Sequence, residues 1–179
     1  MSWRGGAAAL TAALVMTACA SVPRGAQPFV ADTLSGRLAV RVDASDGAPA
    51  RSENAVFELR GNAQAGQLNL STPLGSVLAQ ARWAQGTVVL ATPQGERRFA
   101  DLDSLTQEVL GESVPVAALF DWLRGRPWPD AASVGRVAPA EPGFSQLGWS
   151  VSLARFDDGL VVAKRESAPA VTVRAKLDR

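Results

Sequence analysis

Apolar and polar residues alternate with period two over most of this chain, and that alternation limits its fold more than any other feature. Leu38, Val40 and Val42 alternate with Arg37, Ala39 and Arg41, and Ala55, Phe57 and Leu59 alternate with Val56, Glu58 and Arg60. Successive side chains of a strand point to opposite faces, so each run reads as a strand with one face buried. Residues 43–52 read as a polar loop, 61–66 as a turn, and Leu68, Leu70 and Thr72 as the next apolar face. Pro73-Leu74-Gly75-Ser76 turns the chain into Val77, Ala79, Ala81 and Trp83. Gln85-Gly86 and Pro93-Gln94-Gly95 turn it again, into 87–92 and 96–100. Short strands with turn residues at near-regular spacing predict an antiparallel meander, not a parallel sheet.

The middle of the chain changes period. Asp103 is expected to cap a helix in which Leu105, Val109 and Leu110 share a face and which Gly111 ends. Pro115 suits the first position of a second helix carrying Val116, Leu119, Phe120 and Leu123 at helical spacing, closed by Gly125 and Pro127. A Pro- and Ala-rich connector covers 127–142. Alternation then resumes in Leu147, Trp149, Val151 and Leu153. The Asp157-Asp158-Gly159 turn leads to Leu160 and Val162, then Val171, Val173, Ala175 and Leu177. The fold class expected is mainly β (α+β): one antiparallel sheet curled into an incomplete barrel, or half-barrel, with the short helices as a lid. A few helical side chains fill such a half-barrel less densely than a second sheet would. An apolar cavity suited to a lipid is one outcome, and an ordinary packed core is the other.

Ahead of the strands, residues 13–20 read Ala-Leu-Val-Met-Thr-Ala-Cys-Ala and contain Cys19, the one cysteine of the chain. A single basic residue, Arg4, precedes a short apolar stretch, the layout of a secretory signal whose h-region runs to about 7–15 residues. A small residue, Ala18, immediately before Cys19 makes the end of this signal a lipobox, although Met16 stands where Leu is commoner. The boundaries expected are a signal peptide over 1–18, a lipidated tether over 19–33 and a single domain over 34–179. Cys19 is the expected lipidation site. Two or more acyl chains, at about 0.8 kcal/mol per buried CH2, anchor a protein stably where one does not. Ala20, in place of the Asp that retains enterobacterial lipoproteins at the inner membrane, favours the outer membrane, facing the periplasm.

Composition removes much chemistry. The chain has no His and no Tyr, so Ser-His-Asp and Cys-His catalysis and His- or Cys-rich zinc sites are excluded. The carboxylate pairs Asp101 with Asp103, Glu108 with Glu112, and Asp157 with Asp158 read as helix ends and a turn. No motif points to a Ser-Lys dyad, and no Gly-rich phosphate loop occurs. Lys and Arg number 18 against 17 Asp and Glu, and the leader removes Arg4, so the remainder is formally neutral. A neutral domain gives no drive toward nucleic acid or toward electrostatic docking on anionic lipid. The expectation is a non-enzyme with no metal and no cofactor beyond the covalent lipid.

Three stretches together carry a family resemblance. They are Leu70-Ser-Thr-Pro73-Leu74-Gly75-Ser76, Val114-Pro115-Val116-Ala-Ala-Leu119-Phe120-Asp-Trp122-Leu123-Arg124-Gly125-Arg-Pro127, and Gly148-Trp149-x-Val151. From about Leu34 onward the chain resembles the LolB family of outer-membrane lipoprotein receptors. Where members of that family often have a longer helical segment before the first strand, this chain has the Pro-containing tether. The resemblance implies an incomplete barrel with a helical lid and a hydrophobic cavity. Such a protein takes acylated lipoprotein cargo from a LolA-like periplasmic carrier and releases it into outer-membrane lipid, as a monomer. On that reading Leu38, Val40, Phe57, Leu68, Leu70, Trp83, Leu119, Phe120, Trp122 and Trp149 line the acyl-chain cavity. Pro73, Leu74 and Gly75 form a membrane-release loop with Leu74 at its apex. The rival is an outer-membrane scaffold lipoprotein with an ordinary core. A soluble carrier is disfavoured by the lipobox, and a hydrolase by the residue inventory.

Overall fold

A computed structural model describes residues 33–45 and 47–178, so Cys19, the leader and most of the tether lie outside the described residues. The strands are β1 (Leu34–Val42), β2 (Arg51–Gly61), β3 (Ala65–Ser71), β4 (Val77–Ala84), β5 (Thr87–Thr92) and β6 (Gly95–Phe99). Helices α1 (Leu102–Leu110) and α2 (Val116–Trp122) follow. The chain continues through β7 (Ser133–Arg136), β8 (Gly143–Gln146), β9 (Trp149–Arg155), β10 (Leu160–Arg165) and β11 (Val171–Leu177). All the strands join one antiparallel sheet in the order β6-β5-β4-β3-β2-β1-β11-β10-β9-β8-β7. The first and last strands are central neighbours, with Val40 opposite Val173 and Leu38 opposite Ala175. The two edges, β6 and β7, are consecutive in the chain, and α1 and α2 sit in the connection between them. The sheet is therefore an unclosed barrel, and the segment that spans its gap carries the helices.

Most of the alternation lands as the sequence predicts: Val40, Val42, Phe57, Leu59, Ala81, Trp83, Val151, Val171, Val173 and Ala175 are buried. The departures have local causes. α1 is capped by Asp101, whose carboxylate accepts from the Ser104 N–H at 2.7 Å, and not by Asp103. Starting there brings Leu102 onto the apolar face with Leu105 and Val109. Pro115 is the N-cap of α2, one position before the expected one. Val77 is 63% exposed because the β3–β4 register shifts between Leu70 and Ser71. In β10 the buried residues are Val161 and Ala163, directly opposite Ala175 and Val173, in place of Leu160 and Val162. The expected connector contains β7, and β8 begins at its end. Leu147 is not on a buried face: with Gly148 it forms the tight turn between β8 and β9, at φ 53 and 46% exposed.

The β8–β10 side of the interior is packed solid around Trp122, which has no exposed surface. Its ring meets Phe144 edge-on at 6.3 Å and Trp149 at 6.1 Å. Its indole N–H donates to Gln146 Oε1 at 2.7 Å. The β1–β4 side is different, because a space remains there among the apolar side chains of sheet and helices.

Candidate functional site

A cavity of about 140 Å³ lies between β1–β4 and the helices. Alternate residues of the strands build its floor: Leu38 and Val40 on β1, Ala55, Phe57 and Leu59 on β2, Leu68 and Leu70 on β3, Ala81 and Trp83 on β4, and Val173 on β11. Helix α1 supplies Leu102, Leu105, Val109 and Leu110, and Val114, Val116, Leu119 and Leu123 complete the roof. Glu53 and Thr106 are its polar lining residues. Thr106 is already engaged: its hydroxyl donates to the Asp103 carbonyl at 3.1 Å and accepts the Val114 N–H at 3.0 Å. Trp83 is fixed by its indole N–H to the Asn62 carbonyl at 2.9 Å. Its ring lies so close over Gly66 that any side chain there would collide with it.

Seven residues expected to line a cavity do so: Leu38, Val40, Phe57, Leu68, Leu70, Trp83 and Leu119. Phe120, Trp122 and Trp149 do not. Phe120 meets the Trp83 ring edge-on at 5.6 Å, while Trp122 and Trp149 belong to the solid aromatic core. Sequence alone cannot separate the two groups, since all are large apolar residues on the inward side. Ala55 and Leu59, which share the parity of Phe57 on β2, and the apolar face of α1 line the cavity beyond the residues expected from the sequence.

Helix α1 forms one wall of the cavity. Val109 is half exposed and Leu110 half-buried, so the helix is only partly embedded. Gly111, in the left-handed region at φ 77, ends it. The Asp101 carboxyl is held below its ordinary value by hydrogen bonds from the Ser104 side chain and backbone. Burial, and then the charge of Asp101, pushes Asp103 up. Beyond Gly111, Glu112 pairs with Arg165 of β10 at 2.5 Å. The Arg165 guanidinium also donates to the Pro169 carbonyl and lies over the Trp149 ring. One end of α1 is thus pinned to the far side of the sheet.

The β3–β4 hairpin projects away from this body. The Gly75 N–H donates to the Thr72 carbonyl and the Thr72 N–H to the Ser76 carbonyl, each at 2.9 Å, with Gly75 at φ 86. A turn followed by a left-handed glycine is a common hairpin solution, and Pro73 pre-sets its entrance. Leu74 at the tip is 95% exposed, and Val77 and Leu78 behind it are exposed as well. A solvated leucine leaves unrealised the roughly 1.5–3 kcal/mol that burial of its side chain would yield.

Fold and cavity together define a class: open antiparallel barrels with an apolar chamber under a helical cover. Comparison with known proteins narrows this. A family model described as "Outer membrane lipoprotein LolB" matches residues 32–177. The chain is 36% identical over 170 residues to the outer-membrane lipoprotein LolB of Bordetella pertussis, covering 89% of this chain and 85% of that one. It is 30% identical over 156 residues to LolB of Chromobacterium violaceum, covering 83% and 82%. LolB of Ralstonia nicotianae matches at 42% over 117 residues, 63% of this chain and 54% of that one. The chain belongs to the outer membrane lipoprotein LolB family. It is accordingly an outer-membrane lipoprotein.

Proposed function

We propose that this protein, anchored through a lipid on Cys19 and facing the periplasm, is the membrane receptor for acylated lipoproteins. It takes their acyl chains from a LolA-like soluble carrier into the cavity between β1–β4 and the helices, then releases them into the outer membrane past the Leu74 hairpin. The observation that carries this is the cavity lining, aliphatic and aromatic apart from Glu53 and Thr106. Exposing an acyl chain of a dozen or more CH2 groups to water costs roughly 10 kcal/mol at about 0.8 per CH2. A continuous apolar path avoids that cost without any bond being made or broken. Transfer needs no nucleotide if each site holds the chains more favourably than the one before. At about 140 Å³ the cavity is smaller than the roughly 300–1,000 Å³ of small-molecule pockets, so admitting an acyl chain requires its wall to widen, and we assign that movement to the partly embedded α1.

The test mixes residues 20–179 with a carrier preloaded with an acylated lipoprotein, then adds phospholipid vesicles. The cargo is expected to pass to this chain and on into the vesicles. Leu74→Glu is expected to take up cargo normally but to release it about tenfold more slowly or worse, since it loses the insertion energy of a leucine. Cargo that stays on a competent carrier would overturn the receptor reading in favour of a scaffold lipoprotein. Unchanged release by the Leu74→Glu chain would remove the hairpin from the mechanism.

A further inference from the structure

The near-neutral charge of the whole chain conceals an uneven distribution on the outer face of the sheet, opposite the cavity. β1 and β11 lie side by side there, with Arg37 directly opposite Lys176 and Arg174 opposite Ala39. All three cations are exposed. Like charges facing each other across an antiparallel pair are destabilising, so the fold gains nothing from this arrangement. Three neighbouring acids are committed elsewhere. Asp43 pairs with Arg41 at 2.7 Å, Glu58 with Arg60 at 2.8 Å, and Asp178 accepts from the Ser35 hydroxyl at 3.0 Å. The Lys176 ammonium donates to the Asp158 carbonyl, while Arg37 and Arg174 have no side-chain partner among the described residues.

These three cations line a groove of about 280 Å³ across the outer face. Val56 and Leu160 give it apolar walls, and at one end it is bounded by Pro73, the base of the hairpin that carries Leu74. A groove with three cations, two of them without a side-chain partner among the described residues, is therefore continuous with a protruding apolar tip, on a protein that resides at a membrane. That juxtaposition suits an interface between headgroups and acyl chains, where basic residues meet phosphate and apolar ones go deeper. Two of the three are arginines, whose planar forks bind phosphate oxygens in pairs.

We infer that the groove formed by Arg37, Arg174 and Lys176 is a binding site for the headgroup phosphate of anionic phospholipid, which sets the Leu74 hairpin against the bilayer. The inference rests on the membrane location and the exposed tip, and is independent of what the cavity holds.

The experiment uses the full lipidated protein in phosphatidylcholine vesicles with and without phosphatidylglycerol. A fluorophore on Asn54→Cys, in the groove wall, is quenched by a lipid spin-labelled at its headgroup. Quenching is expected to be strong with phosphatidylglycerol and weak without it. It should fall in about 1 M salt, where the Debye length is about 3 Å. Arg37→Gln, Arg174→Gln and Lys176→Gln should each lower occupancy of the bound orientation about fivefold, and the triple variant should abolish the phosphatidylglycerol effect. The triple variant should stay folded, with a melting temperature no lower than the parent's because the Arg37–Lys176 repulsion is gone, and should still take cargo from the carrier. Equal quenching in both vesicle types, or a triple variant that matches the parent, overturns the inference. So does quenching that changes only when the carrier is added to neutral vesicles, which would assign the groove to an acidic protein surface. Loss of cargo uptake with the groove response intact would count against the receptor reading alone.

Discussion

Gln146 is buried with its amide fully used. Its Oε1 accepts from the Trp122 indole at 2.7 Å and from the Trp128 N–H at 2.9 Å, and its Nε2 donates to the carbonyls of Trp128 and Ala131 at 2.8 and 2.7 Å. One side chain on β8 thereby ties down both the end of α2 and the segment that leads from it to β7. Replacing it with leucine keeps the volume but strands two buried donors, each costing about 1–3 kcal/mol. Gln146→Leu should therefore lower unfolding free energy by about 3 kcal/mol, read as a drop in urea midpoint by tryptophan fluorescence. A change well under 1 kcal/mol would mean that water replaces the amide. Nothing in the sequence marks this residue, because a glutamine in an alternating strand ordinarily reads as an outward position. It becomes legible only once Trp122 is known to need an acceptor inside the core.

At the scale of the element, α1 is poised by two carboxylates of opposite tendency. The folded pKa of Asp101 lies below its ordinary 3.8, so its contribution to the helix is present above that value and lost as pH falls through the folded one. Asp103 is raised, so its contribution runs the other way: present at low pH, lost as pH rises through its folded value. Amide exchange at Ser104 should therefore quicken, relative to its intrinsic rate, on acidification below pH 3.8. Asp101→Asn, which keeps a capping oxygen but cannot titrate there, should flatten that response, and Asp103→Asn should increase protection at neutral pH. An Asp101→Asn chain that still loses protection in acid would place the cause elsewhere. The same helix shows how far sequence carries. Its existence, its Gly111 end and its apolar face are visible in the spacing. The choice between two aspartates two residues apart is not, because burial of Leu102 against the cavity decides it. β10 makes the same point: its alternation is plain, but which face turns inward is fixed by the pairing of Val161 with Ala175 and Ala163 with Val173. β7 is four residues long, with Val134 exposed and Gly135 within it, so it has no alternation to read.

Across the whole molecule the two sides of one sheet serve different ends. The β8–β10 side is filled by interlocking aromatic rings, and the β1–β4 side is left under-packed beneath a partly embedded helix. Empty apolar space costs stability, because the atoms lining it forgo dispersion contacts. A fold that keeps such space on one side must draw its stability from the other. Substitutions on the two sides should then separate stability from lipid capacity. Val151→Ala, in the solid core at no exposure, should cost about 2 kcal/mol yet leave the affinity for a fluorescent fatty acid unchanged. Ala55→Leu, on the cavity wall, should hold or raise the melting temperature while weakening fatty-acid binding severalfold, since three added carbons occupy the space the ligand needs. If Ala55→Leu binds as tightly as the parent, the cavity is not where the chain resides. If Val151→Ala alone abolishes binding, the solid side is not the independent support that its packing indicates.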